Sequence, residues 1–160
     1  MPAATVSLEP QIRLQEPIGS LLHAKGSVVW SISPDATVYE ALQQMAEKRV
    51  GALVVLKGGR LEGIISERDY ARKVILVGKS SQDTRVREIM TTPAPSIGPE
   101  QPVDECMRMM TSERVRHLAV IERGEVVGIV SIGDLVSWII SSHEQTIHHL
   151  QSYITGAYPA

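Results

Sequence analysis

Phenylalanine is absent from this 160-residue chain, and its 2 tryptophans and 4 tyrosines leave it only 4% aromatic. The stacking platforms of single-strand nucleic-acid binders are therefore not expected. The one cysteine, Cys106, excludes an intramolecular disulfide and any CxxC zinc or redox motif. No apolar run reaches the ~18 residues that a membrane span requires. A net charge of -2 gives no bulk attraction to nucleic acid or to anionic lipid. Residues 1–17 lack the basic start and apolar centre of a secretory signal, and Glu9 and Glu16 against a lone Arg13 argue against an organelle transit peptide. We read 1–17 as an N-terminal arm and expect a cytoplasmic location. A hydrophobic share of 43% and a charged share of 21% are ordinary globular usage.

What is present is a repeat. Shifted by 65 positions, residues 31–71 lie on 96–136 without a gap, with fifteen identities in forty-one pairs. Ser31 meets Ser96, Ile32 meets Ile97, Pro34 meets Pro99, Val38 meets Val103 and Glu40 meets Glu105. Met45, Arg49, Val50, Leu53 and Val55 meet Met110, Arg114, Val115, Leu118 and Val120. Gly59, Gly63, Ile64, Ser66 and Asp69 meet Gly124, Gly128, Ile129, Ser131 and Asp134. Chance does not hold one register that long, so the chain carries two copies of one supersecondary unit.

Each copy reads as strand–helix–strand–strand–helix. In the first, residues 28–32 form a short β-branched strand, and Thr37 with Glu40 makes a capping box opening a helix to Lys48. A hairpin follows, 52–56 and 61–65 around the turn 57–60, and a helix then runs from Glu67 to about Leu76. The second copy predicts a strand at 95–97, a helix over 103–113 and a hairpin of 117–121 and 126–130. Its final helix runs from Ile132, past Tyr153 if the apolar pattern continues. Pro102 replaces Thr37 and suits a first helical turn. Residues 18–26 and 85–90 read as short lead-in helices. Neither half can bury both faces of three short strands, so the halves should pack together as an α+β layer fold.

Each hairpin ends in the same way, Gly63-Ile-Ile-Ser66-Glu-Arg-Asp69 and Gly128-Ile-Val-Ser131-Ile-Gly-Asp134. This duplicated ending, after an apolar hairpin and before a helix, resembles the CBS-domain family, in which two CBS domains form one Bateman module. The division is then an arm over 1–17, a first CBS domain over 18–76, a linker over 77–94 and a second CBS domain over 95–155. The resemblance implies pseudo-symmetric units packed through their sheets, and a crevice that binds adenosine-type ligands. In it the Asp takes the ribose hydroxyls and the strands hold the adenine.

By that resemblance, one site combines Ser66, Arg68 and Asp69 with Ser96, Ile97, Val115, Arg116, His117 and Leu118. The other combines Ser131, Gly133 and Asp134 with Ser31, Ile32, Val50, Gly51, Ala52 and Leu53. The first gathers Arg68, Arg116 and His117, a cationic set suited to phosphate; the second has Gly133, Gly51 and Ala52 at those places. A carboxylate that accepts ribose hydroxyls makes charge-assisted bonds, stronger than neutral ones. The plainer reading is that each Asp only caps the helix behind it.

The remaining motifs are weaker. Gly78-Lys79-Ser80 lacks the glycine a phosphate-binding loop needs five residues earlier, where Lys73 stands. Cys106 lies on an apolar helix face and reads as a buried thiol. His143, His148 and His149 miss the spacing of four that brings two helical ligands together. No nucleophile, base and orienting group come together, so no enzyme is expected. The expected function is a regulatory module that senses AMP, with ADP, ATP, NAD(H) or S-adenosylmethionine as the other ligands the resemblance implies, and that signals to a partner protein as a homodimer. The phosphate-suited arginines favour the phosphorylated ligands. The rival is a ligand-free structural or dimerisation adaptor built on the apolar final helix around Trp138.

Overall fold

The computed structural model of the chain describes residues 13–26 and 28–141. In chain order the elements are α1 (Ile18–Lys25), β1 (Ser31–Ile32), α2 (Val38–Lys48), β2 (Ala52–Lys57), β3 (Arg60–Ser66) and α3 (Glu67–Tyr70). Then come α4 (Val86–Ile89), β4 (Ser96–Ile97), α5 (Val103–Glu113), β5 (His117–Glu122), β6 (Glu125–Ser131) and α6 (Ile132–Ser141). The strands form two three-stranded sheets, β1-β2-β3 and β4-β5-β6. In each, a two-residue parallel edge strand flanks an antiparallel hairpin. Both hairpins shift register at the same place, Val55/Leu56 and Val120/Ile121. The repeat is therefore structural down to its irregularities.

Local chemistry accounts for the element ends. At α2 the Glu40 amide donates to the Thr37 hydroxyl (3.1 Å) and the Thr37 amide donates to the Glu40 carboxylate (2.9 Å), closing the expected box. Pro102 sits at the cap of α5, one place before the first helical residue, and gives no side-chain cap. Two elements differ most from the sequence reading. The first strand is Ser31–Ile32 rather than 28–32: its pairing with β2 begins where the Val54 amide donates to the Trp30 carbonyl (3.2 Å), and the register takes in only Ser31 and Ile32. The helix behind Ser66 is α-helical only to Tyr70 and continues as a π-turn, Ala71–Ile75, in which the Leu76 amide reaches the Ala71 carbonyl (3.1 Å). The wider turn buries Val74 while Lys73 turns back to Asp69. The part of the final helix expected beyond Ser141, with His143, His148 and His149, lies outside the described residues.

The sheets face each other through Ala52, Val54, Ile64 and Ala119, flanked by Val126 and Ile129. Behind each sheet lies a separate core, and here the chain crosses over. The lead-in helix α1 buries Ile18, Leu21 and Leu22 in the core of the second repeat, beside Val103, Leu118 and Leu135. The linker helix α4 buries Val86 and Ile89 in the core of the first, beside Val38, Leu53 and Ile65. Backbone bonds repeat the pattern. Ile18 N donates to Gln101 O (2.7 Å) and Gly19 N to Pro99 O (2.8 Å); Val86 N donates to Ala36 O (2.9 Å) and Arg87 N to Pro34 O (3.0 Å). The acceptors differ by 65 positions and the donors by 68, so the pseudo-symmetry continues through the lead-in segments after a three-residue shift.

The crossing explains one repeated glycine pair. A Cβ on Gly63 would meet the Thr91 carbonyl at 2.7 Å and Met90 Sδ at 3.0 Å, whereas on Gly128 it would meet the Leu22 methyl at 2.6 Å. Met90 and Leu22 are themselves related by the 68-residue shift. A backbone carbonyl cannot yield as a leucine methyl can. Gly63→Ala is therefore expected to cost about 1–3 kcal/mol in urea denaturation, the usual overpacking range, and Gly128→Ala clearly less. Equal costs would contradict the close approach at Gly63.

Candidate functional site

The motif residues form the same local device twice. The Ser66 amide donates to Asp69 Oδ2 at 2.9 Å, and the Asp69 amide donates to Ser66 Oγ at 3.2 Å. In the second repeat the Ser131 amide donates to Asp134 Oδ2 at 2.8 Å, and the Asp134 amide to Ser131 Oγ at 3.1 Å. These are capping boxes with Asp in the third helical position. In both, the box takes the carboxylate oxygen Oδ2 and leaves Oδ1 outside it.

Around Asp69 a cavity of about 360 Å³ opens between the repeats. The first repeat supplies Gly51, Ile64, Ser66, Glu67, Arg68, Asp69, Arg72 and Lys73 to its wall. Thr91 and Pro95 come from the segment leading into the second repeat, and Glu113, Arg114, Val115, Arg116 and His117 from the end of α5 and the start of β5. Asp69 Oδ1 accepts the Thr91 hydroxyl at 3.2 Å and pairs with Lys73 Nζ, also at 3.2 Å. Five cations, Arg68, Arg72, Lys73, Arg114 and Arg116, thus outnumber the three carboxylates of Glu67, Asp69 and Glu113. The guanidinium of Arg68 is held below its ordinary pKa, first by the charge of Arg72, then by partial desolvation and by Arg116. The cations repel one another across the cleft, which an anion would relieve.

Of the residues expected at this site, the cavity brings together Ser66, Arg68, Asp69, Val115, Arg116 and His117. Leu118 is fully buried in the second core, because strand alternation turns it away from the cleft that His117 faces. Ser96 and Ile97 line a different hollow, with Gly98, Gln101, Met109 and Ile121. Gly51, expected in the other site, lies in this wall; a Cβ there would stand 3.6 Å from His117 Nε2. Arg72, Lys73, Arg114, Thr91 and Pro95 were missed. Arg72 and Lys73 were legible, three and four places after Asp69 and so on the same helical face. Thr91 was not, because the three-residue shift hides its counterpart.

The second cleft is built differently. Lys25 Nζ pairs with Asp134 Oδ2 at 2.6 Å and donates to the Ile129 carbonyl at 2.8 Å. Burial pushes the Asp134 carboxyl up, but Lys25 and the Ser131 amide outweigh it and hold the group below the ordinary value. Asp134 borders a hollow of about 320 Å³ with Leu21, Ala24, Lys25, Ser137, Trp138 and Ser141. Of the partners expected there, Ala52 and Leu53 are buried in the sheets, Val50 and Ile32 pack on the first core, and the Ser31 carbonyl accepts Gln44 Nε2 at 3.0 Å. Gly133 is exposed. The Cys106 thiol is fully buried, and that burial pushes its pKa up to about 11.

His117 stands between the two clefts. Burial holds its imidazole below the ordinary pKa; Lys25 and Arg116 add to the effect, and Asp134 and Asp69 oppose it. The unfolded chain takes up this proton near pH ~6.5, before the folded chain does. Stability is therefore expected to fall as pH drops from neutral through that value, and His117→Asn should flatten the dependence. Urea midpoints at pH 7.5 and 5.5 for both proteins check this; parallel profiles would contradict it.

Two fused copies of one unit, with a strongly cationic crevice between them, define a tandem two-domain module. The CBS domain family model matches residues 26–76 and 86–141, and the chain belongs to the CBS-domain family as a tandem pair. It is 44% identical over 140 residues to the mitochondrial CBS domain-containing protein CBSX3 of Arabidopsis thaliana, covering 84% of this chain and 68% of that one. A solved CBS-domain protein from Burkholderia ambifaria superposes with a TM-score of 0.75 at 44% identity, over 78% of this chain and 94% of that one. A CBS domain protein from Pyrobaculum aerophilum, complexed with AMP, gives a TM-score of 0.66 at 27% identity, over 74% and 88% of the two chains. Among the described residues no helix is long and apolar enough to cross a membrane.

Proposed function

We propose that the chain is a non-catalytic regulatory module that binds an adenine nucleotide in the cleft at Asp69 and transmits occupancy to a partner protein. The carrying observation is the wall of that cleft, where Arg68, Arg72 and Lys73 of one repeat face Arg114 and Arg116 of the other. A phosphate held between them ties the repeats together, and Ile64, Pro95 and Val115 offer apolar surface to a base. The AMP complex of the Pyrobaculum aerophilum protein supports AMP as the ligand to test first, before ADP, ATP and NAD(H). Asp69 Oδ1, now against Thr91 and Lys73, is the acceptor for a ribose hydroxyl. A ligand that touches both repeats biases their relative packing, which is the signal.

A thermal-shift series with these nucleotides and adenosine tests the proposal. At one hundred times its dissociation constant a ligand that binds only the folded chain adds about 2.7 kcal/mol, about 5–10 °C in midpoint for this size. No shift with any of them at millimolar concentration would hand the case to the adaptor reading. That reading has its own support in the exposed Ile75, Leu76 and Val77 and, on α6, Val136 and Ile140. The same surfaces support a homodimer. Sedimentation at tens of micromolar is expected to give twice the chain mass, and a monomer alone would remove that part. The cytoplasmic expectation is decided separately, by a fluorescent fusion of the full chain, since one relative is mitochondrial by name.

A further inference from the structure

The repeat relates the two clefts, yet their aspartates meet different partners. In the first, Ile64 and Asp69 border the open cavity, and the segment leading into the second repeat adds the uncharged Thr91 and Pro95. In the second, the corresponding Ile129 and Asp134 are bridged by one ammonium, Lys25 Nζ, at 2.8 and 2.6 Å. Lys25 is the last residue of α1, which the second core holds by Ile18, Leu21 and Leu22. Four of the five cations of the first cleft have no cationic counterpart here, since Gly133, Ser137, Trp138 and Gly51 stand where Arg68, Arg72, Lys73 and Arg116 stand there. Arg49, the counterpart of Arg114, does not line the hollow at Asp134.

We propose that Lys25 closes the second cleft and makes this chain a module for one adenosine ligand rather than two. Its ammonium gives Asp134 what a ribose hydroxyl would give, a hydrogen-bond donor, and adds a full positive charge. A ligand entering there has to break an ion pair to form a weaker bond, and among the described residues no arginine lines the hollow to hold its phosphate. Asp134 Oδ1 accepts no hydrogen bond among the described residues, but the carboxylate it belongs to is already neutralised. In the first cleft Lys73 also pairs with Asp69, at a longer 3.2 Å, and the cavity beside it stays open. Lys25 is thus the specificity-determining residue of the second cleft.

The proposal rests on the nucleotide reading above, and calorimetric titration with AMP separates the two. The unmodified chain is expected to bind one AMP per chain. Lys25→Met and Lys25→Gln, which remove the ammonium from a side chain that is 36% exposed, are expected to bind two. The added event should vanish when Asp134→Asn is combined with Lys25→Met. One AMP per chain in all the proteins, or two in the unmodified chain, overturns the closure and leaves the nucleotide reading standing. No AMP bound by any of them overturns both.

Discussion

Arg116→Ala is expected to weaken AMP binding about 10- to 150-fold while leaving adenosine binding nearly unchanged. Hydrogen bonds to charged groups contribute about 1.5–3 kcal/mol each, and that range converts into this factor. Arg116 enters the cleft from the segment between α5 and β5, across the crevice from Arg68. It can meet a phosphate and has no comparable partner on an uncharged nucleoside. The side chain is exposed, so truncation leaves the cores intact and the comparison is one of binding rather than of folding. Titrations with AMP and adenosine read the difference directly. Equal losses for the two ligands would mean that Arg116 shapes the wall rather than holding phosphate.

Leu21→Ala and Ile89→Ala are each expected to cost about 2–5 kcal/mol in urea denaturation, as large-to-small changes in a packed core do. Leu21 is 3% exposed and Ile89 1%, although both lie in short helices outside the matching stretches of the repeat. Leu21 lies in the second core, against which Trp138 packs, and Ile89 in the first, against which Trp30 packs. Each tryptophan therefore reports on the core of its own half. A change within about 0.5 kcal/mol, as at an ordinary surface site, would show that the lead-in helices are peripheral.

The repeat made most of this fold legible. Fifteen identities in one register predicted two copies of one unit, and the α5 limits at Val103 and Glu113 follow from apolar spacing alone. The crossing of the lead-in helices was not legible. Their pairing follows a 68-residue shift, so nothing in the 65-residue register marks Ile18 as the counterpart of Val86. The change of pitch behind Tyr70 was hidden for another reason: apolar spacing at 74–77 fits an α-helix as well as a π-turn.

The candidate site was legible where the motif is local and obscure where it depends on contacts between distant segments. Ser66 and Asp69 carry their geometry in a three-residue spacing, and a capping box explains the spacing without any ligand. What points beyond capping is the second oxygen of Asp69 and the arginines around it, which only the folded arrangement collects. Lys25 lies 109 positions from Asp134, and no spacing rule joins such a pair. The asymmetry between Arg116 and Gly51, by contrast, stands in the aligned repeat itself.

A crystal structure of the chain grown with AMP is the most direct measurement. The phosphate is expected within hydrogen-bond distance of Arg68 or Arg116, with a ribose hydroxyl on Asp69 and the base against Ile64 or Val115. AMP bound at Asp134 instead, or a cleft at Asp69 that takes up no nucleotide at saturating concentration, would contradict the central claim.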